Sequence, residues 1–261
     1  MCTLAVMRGF CAAYPLVIAA NRDEFYVRPT APPTLLDDVP GVVAGRDLEA
    51  GGTWLGCRYD SRPLIAGLLN RRAPGGSGRS SSGELSRGML CLNALRSSSL
   101  EDAVEGVRRA ELERYGPFNL LLADTRGALV IQNADGPRIS ELGGGLSLLT
   151  NLDVNDPRCP RLASAVPAFR ALSDRIKNEV PVEYIVEDCR AVLSSHDNSL
   201  DPADVSPLSR LCVHTDVYGT RSATVIIVAR DERVRYFHTS GPPCRTSFEE
   251  VPISAVRTPR V

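Results

Sequence analysis

Short apolar runs separated by turn residues dominate the first seventy positions. "CTLAVM" and "LVIAA" lie close enough along the chain to pair as a hairpin. Neither shows the polar alternation of a half-exposed strand, so both predict strands buried on two faces. "GGTWLGCRY" and "PLIAGLLN" repeat the pattern after a proline-rich loop at 29–41. "APGGSGRSSSG" (73–83) reads as a flexible loop. Beyond it the apolar spacing becomes helical. "SRGMLCLNAL" and "SLEDAVEGVRRAELERY" predict two helices, the second with Ser99 as its N-cap and Glu101 and Asp102 in its first turn. Strand patterns return in "FNLLLAD", "ALVIQN" and "LSLLTN", helical ones near 160–177 and 183–194, and "ATVIIVAR" with "RVRYFHT" predicts a closing hairpin.

Strands and helices arranged in blocks argue against alternating βαβ units. They predict an α+β fold with two stacked sheets covered by helices. The chain of 261 residues fits one large domain, spanning 1–261. In "AGGTWLG" the expected roles are architectural, with Gly51 and Gly52 in a tight turn, Trp54 as a core ring, and Arg46 and Asp47 holding the turn.

Composition narrows the function classes. No apolar stretch is long enough to cross a bilayer, and Asn21 to Glu24 break the early apolar run too soon for a signal peptide. A soluble, cytoplasmic protein is therefore expected. A formal net charge of -1 supplies no field for nucleic acid or an anionic membrane, so the expected partner is a small molecule. The eight cysteines contain no Cys-x-x-Cys pair, and His196, His214 and His238 are too dispersed for an H-E-x-x-H site, so no metal motif is read. There is no G-x-S-x-G elbow, no P-loop around the single lysine Lys177, and no complete dinucleotide fingerprint around "GGSG".

With conventional bases so scarce, Cys2 becomes the residue of interest. It is either a buried strand thiol or, once Met1 is removed, an N-terminal nucleophile whose own α-amine, with a pKa of about 7.7 to 8, serves as the base. Four polar residues, Asn21, Arg22, Asp23 and Glu24, end the second apolar run, close to Cys2 if the two runs pair. An arginine there could hold a thiolate or a substrate carboxylate, and Asp23 could orient the amine. The alternative is a solvated strand end with an internal ion pair. Side chains alternate along a strand, so Asn21 and Asp23 share one face and Arg22 and Glu24 the other.

"MCT", "NRDEFYVRPTAPP", "AGRDLEAGGTWLG", "LLNRR", "SRGML", "LLTN" and "YGTRSATV" together resemble the NRDE family, which includes the transport and Golgi organisation protein 2 homologues. That family is similar to cysteine-type N-terminal nucleophile hydrolases, the relatives of penicillin V acylase and bile salt hydrolase. The resemblance implies a four-layer αββα sandwich of two mainly antiparallel sheets. It also implies a hydrolase or acyltransferase acting on non-peptide C–N bonds through a Cys2 thioester. By the same resemblance Arg22 and Asp23 match the arginine and aspartate beside the nucleophile, Asn151 the oxyanion asparagine, and Asn70 and Arg221 further site residues. Arginine and aspartate are adjacent here, where the acylases space them apart, so a regular strand cannot aim both at the thiol. "NDPRCPRL" stands where relatives often carry a tryptophan-proline pair. No cofactor is expected for a hydrolase. The alternative implied by eukaryotic relatives is a haem- or acyl-lipid-trafficking protein on the same scaffold, with Cys159, His214 or Cys2 as axial ligand.

Overall fold

The computed structural model describes residues 2–71, 83–197 and 206–253. The glycine- and serine-rich loop at 73–83 lies, apart from Gly83, outside the described residues. The chain first forms β1 (Thr3–Arg8), β2 (Leu16–Phe25), β3 (Thr30–Leu35), β4 (Val42–Asp47), β5 (Leu55–Arg58) and β6 (Leu64–Asn70). Helices α1 (Arg87–Leu95) and α2 (Leu100–Arg108) follow, then β7 (Phe118–Ala123), β8 (Ala128–Gln132), β9 (Arg138–Glu141) and β10 (Gly145–Leu149). Helices α3 (Arg161–Lys177) and α4 (Val182–Leu193) precede β11 (Tyr218–Val228), β12 (Val234–Thr239) and β13 (Glu249–Glu250).

These elements form two compact units, each built on one antiparallel sheet with two helices. The first comprises Met1–Arg28, Gly144–Asp231 and Arg235–Val251, and its strands run in the order β10-β1-β2-β11-β12-β13. The predicted opening hairpin is β1 with β2, in a register that sets Thr3 opposite Asn21 and Val6 opposite Ile18. One sheet face, with Ala5, Met7, Val17, Ala19, Val225 and Ile227, packs with Phe169 and Leu172 of α3 and Ile185 and Cys189 of α4. Leu4, Val6, Ile18 and Ile226, which point the other way, are equally buried. Burial on both faces explains why these strands read as unbroken apolar runs.

The second unit carries the sheet β3-β4-β5-β6-β7-β8-β9, in which each strand pairs with its neighbours in sequence. Its core joins Ala66, Leu120 and Leu122 to Cys91 and Leu95 of α1 and Ala103 and Val107 of α2. Ser86 and Ser99 cap the two helices, their hydroxyls accepting from the main-chain N–H of Met89 and Asp102. A Cβ on Gly52 would sit 2.1 Å from the Gly88 main chain, so this turn can press on the start of α1 only as glycine. Gly51 adopts φ 73°, Arg46 Nη1 donates to its carbonyl at 2.8 Å, and the Asp47 carboxylate accepts from the N–H groups of Glu49 and Ala50.

Several short elements depart from the sequence pattern. The proline-rich segment expected as a loop contains β3, an edge strand whose register shifts between Ala31 and Thr34, around Pro32 and Pro33. Proline lacks the donor that an interior strand needs, and the edge tolerates it. Strands β4 and β9 were not legible as strands, and the helical pattern of "AELERY" yields only a 3-10 turn at Leu112–Arg114. Among the described residues no helix is long and apolar enough to cross a membrane.

His238 of β12 is buried against the Thr224 hydroxyl, with Nδ1 at 3.0 Å. Burial pulls its pKa down to about 4. The unfolded chain binds this proton from about pH 6.5, so folding stability falls as pH drops from there towards the folded value, by roughly 3 kcal/mol. A urea-denaturation series across that window should show a steeper acid limb for the native chain than for His238→Gln.

Candidate active site

Strand β2 positions the site by alternation. Asn21 and Asp23 turn towards α3 and α4, and Asn21 Nδ2 donates to the carbonyls of Leu193, at the end of α4, and Leu211, at 2.8 and 2.9 Å. This satisfies a carbonyl that a helix C-terminus leaves open. The Asp23 carboxylate accepts from Arg161 Nη1 and from the Thr220 hydroxyl, each at 2.7 Å. Both members of the Asp23–Arg161 ion pair have 0% side-chain exposure. Arg161, the first residue of α3, also donates through Nε to the Leu208 carbonyl at 2.8 Å and through Nη1 to the Thr3 hydroxyl at 3.2 Å.

Cys2 precedes β1. Because Thr3 faces Asn21, Cys2 falls opposite Arg22 and shares its side of the sheet. Ser222 pairs with Arg22 from β11. The half-buried Cys2 sulfur lies 3.7 Å from the main-chain oxygen of Asp23, which also accepts from the Tyr218 hydroxyl at 3.2 Å. Burial pushes the Cys2 thiol pKa up and the Asp23 charge adds to the rise, while the Arg22 guanidinium opposes it. Arg22 also lies 3.8 Å from Glu24 on the same face.

The adjacency of Arg22 and Asp23 is thereby resolved. Arg22 shares the sulfur's face, whereas Asp23 meets the sulfur through its main-chain oxygen and turns its carboxylate to Arg161. Leu149 pairs with Leu4, so Asn151, two residues past β10, lies at the same end of the sheet as Cys2. Asn151 is 7% exposed, and its side chain makes no hydrogen bond among the described residues. Arg221 is the extra residue in the bulge between Thr220 and Ser222, and its Nη1 donates to the carbonyls of Phe25, Tyr26 and Arg28. That geometry braces the chain leaving β2. Asn70 ends β6 in the second unit, exposed and opposite Phe118. Cys159 is buried in the core beneath α3 and α4.

Sequence reasoning missed Arg161, Thr220 and Tyr218. Helical spacing around "CPRL" carries no mark of a buried cation, and the threonine and tyrosine belong to a strand whose bulge only pairing reveals. Gly219 did carry a signal in "YGTRS". A Cβ there would lie 2.2 Å from the Tyr26 hydroxyl and 2.5 Å from the Val213 carbonyl. The second unit holds a polar row that was also missed, in which the buried Arg71 and Gln132 donate to Asn119 Oδ1 and the exposed Arg138 donates to Gln132 Oε1.

The chain has the N-terminal nucleophile hydrolase fold, and solved structures of that fold superpose on it. An N-acylethanolamine-hydrolyzing acid amidase orthologue from Caenorhabditis elegans matches with a TM-score of 0.52 at 14% identity, covering 96% of this chain and 100% of its own. A variant of conjugated bile acid hydrolase from Clostridium perfringens matches with a TM-score of 0.53 at 10% identity, covering 97% and 99%. The chain belongs to the Transport and Golgi organisation 2 family, whose sequence model matches residues 1–240. It is 31% identical over 250 residues, 87% of each chain, to the Transport and Golgi organization protein 2 homolog of Bos taurus. The Homo sapiens homolog is 28% identical over the same share.

Asp23→Asn would leave the Arg161 charge buried without its counter-ion. Breaking such a pair from one side costs about 3–5 kcal/mol, so the variant should show a matching loss of unfolding free energy in urea. Thr220→Val, which removes a neutral donor, should lose less than half as much.

Proposed function

We propose that the protein is an amidohydrolase or acyltransferase of the cysteine N-terminal nucleophile type, acting on a small N-acyl amide. The observation that carries this reading is the placement of Cys2, its sulfur 3.7 Å from the Asp23 carbonyl and on the same strand face as Arg22. The fold supports it, since both superposed structures are named for the hydrolysis of an amide-type substrate, an N-acylethanolamine or a conjugated bile acid. A thiol whose pKa is raised by burial needs a base beside it. Removal of Met1 supplies one, because the freed α-amine titrates at about 7.7 to 8.

In the proposed reaction that amine takes the Sγ proton and the sulfur bonds to the substrate carbonyl carbon. The developing oxyanion accepts hydrogen bonds from the Asn151 side-chain amide and main-chain N–H groups. The C–N bond then breaks as the ammonium returns its proton to the leaving amine, which leaves a Cys2 thioester. Water attacks the thioester to release the acid and restore the thiol, or an acceptor amine takes the acyl group. Arg22 favours the thiolate through its charge. We place this activity in the cytoplasm, where the eight free thiols would persist.

Intact mass together with turnover of a panel of N-acyl amides tests the reading. Mature protein should begin at Cys2, Cys2→Ala should be inactive, and Asn151→Ala should lose on the order of a hundredfold or more in rate at unchanged stability. Met1 retained on fully active protein, or activity in Cys2→Ala, overturns it. Arg22→Leu should displace the pH profile of Cys2 alkylation by iodoacetamide to higher pH, because the thiolate loses its cation. The family name, Transport and Golgi organisation 2, supports a second reading, a trafficking role, for which we propose haem or an acyl lipid as cargo. An acyl-lipid carrier would survive Cys2→Ala, and the absence of a Soret shift on haem titration removes the haem form.

A further inference from the structure

Four side chains distant in sequence meet where β11 begins and β12 has ended. His196 follows α4, Cys212 and His214 precede β11, and Cys244 lies beyond β12. Each offers one ligand atom, and the four atoms all lie within 4.8 Å of one another. The Cys212 and Cys244 sulfurs are 3.6 Å apart, and His214 Nε2 lies 3.6 Å from the first and 3.3 Å from the second. A zinc tetrahedron with Zn–S of about 2.3 Å and Zn–N of about 2.0–2.1 Å has S···S edges of about 3.8 Å and S···N edges of about 3.6 Å. Three of the six edges are therefore set to within a few tenths of an ångström.

We propose that His196, Cys212, His214 and Cys244 form a closed, structural Zn²⁺ site. Two thiolates and two imidazoles suit a borderline-soft ion and reject the hard, oxygen-seeking Ca²⁺ and Mg²⁺. Binding displaces one proton from each thiol, so two protons leave as one dication enters and the site is neutral. The Cys212 carbonyl lies 3.0 Å from His196 Nδ1. A carbonyl only accepts, so Nδ1 carries the proton and Nε2 is the nitrogen left for the metal. Zinc histidines use this outer contact to fix their tautomer and orientation.

The site would staple three segments and, through them, the candidate active site. Val213, between two of the ligands, exchanges hydrogen bonds with Thr220 at 2.9 and 2.8 Å, and the Thr220 hydroxyl holds the Asp23 carboxylate at 2.7 Å. The sequence concealed the cluster because only Cys212 and His214 are near neighbours. The other two ligands arrive from 16 residues upstream and 32 residues downstream of Cys212.

Elemental analysis and cobalt substitution of the full chain, purified with its thiols reduced, test the proposal. Zinc should be retained at about one equivalent per chain, and Co²⁺ should give the intense visible bands and thiolate-to-cobalt charge transfer of a tetrahedral S₂N₂ site. Cys244→Ser and His196→Ala, at the more accessible ligands, should each lose the metal or bind it at least about tenfold more weakly. Cys2→Ala should keep it, so this result stands apart from the fate of the hydrolase reading. Failure of the reduced native chain to take up zinc or give the cobalt spectrum overturns the proposal. So does undiminished binding in the Cys212→Ser, Cys244→Ser double variant, or a Cys212–Cys244 disulfide that persists through purification with a thiol reductant. The cobalt spectrum of the native chain decides the matter even if a variant does not fold.

Discussion

The buried ion pair between Asp23 and Arg161 is the contact on which the rest of the first unit depends. Two charges out of water are tolerable only when they neutralise one another and their remaining hydrogen-bonding capacity is met. Here Thr220 donates to the carboxylate, and Thr3 and the Leu208 carbonyl accept from the guanidinium. Each partner belongs to a different segment, so satisfying the pair fixes the start of β1, the end of β2, the start of β11 and the first turn of α3 together. An apolar pair could fill the same volume, but it would not impose that register, because hydrophobic contact has no direction.

From this anchor the geometry around Cys2 follows. With Asp23 held towards the helices, strand alternation sends Arg22 to the opposite face, and the pairing of Thr3 with Asn21 sends Cys2 there too. The sulfur thus has a cation on its own side and an anion behind the sheet, separated by the main chain whose carbonyl it contacts. The two charges act on the thiol in opposite senses, and burial tips the result towards the protonated form. A thiol kept protonated until a base acts on it would suit the proposed reaction, in which attack and proton transfer are coupled.

The same end of the sheet gathers further polar groups. Tyr218 donates to the Asp23 carbonyl, Asn21 holds the end of α4, and Arg221 binds three carbonyls beyond β2. The His196, Cys212, His214 and Cys244 cluster stands behind Thr220. Each of these contacts restrains main chain where strands give way to loops, the place where a sheet would otherwise fray. Rigidity at this end is what the proposed role of Cys2 would require.

The amino-acid sequence by itself determined the strand and helix blocks, the opening hairpin, the Ser99 cap and the choice of Cys2 and the Asn21–Glu24 stretch as candidate chemistry. All of these rest on local periodicity or on residue types read in order, and such signals need no knowledge of what lies across the fold. Tertiary structure alone decided that Arg22 faces the sulfur while Asp23 faces Arg161, that Arg221 serves the main chain, that β3 is a strand at a sheet edge, and that two cysteines and two histidines share a site. Those outcomes depend on pairing register and on contacts between residues far apart in the chain. A one-residue change of register would reverse every side chain of β2 without altering a letter of the sequence.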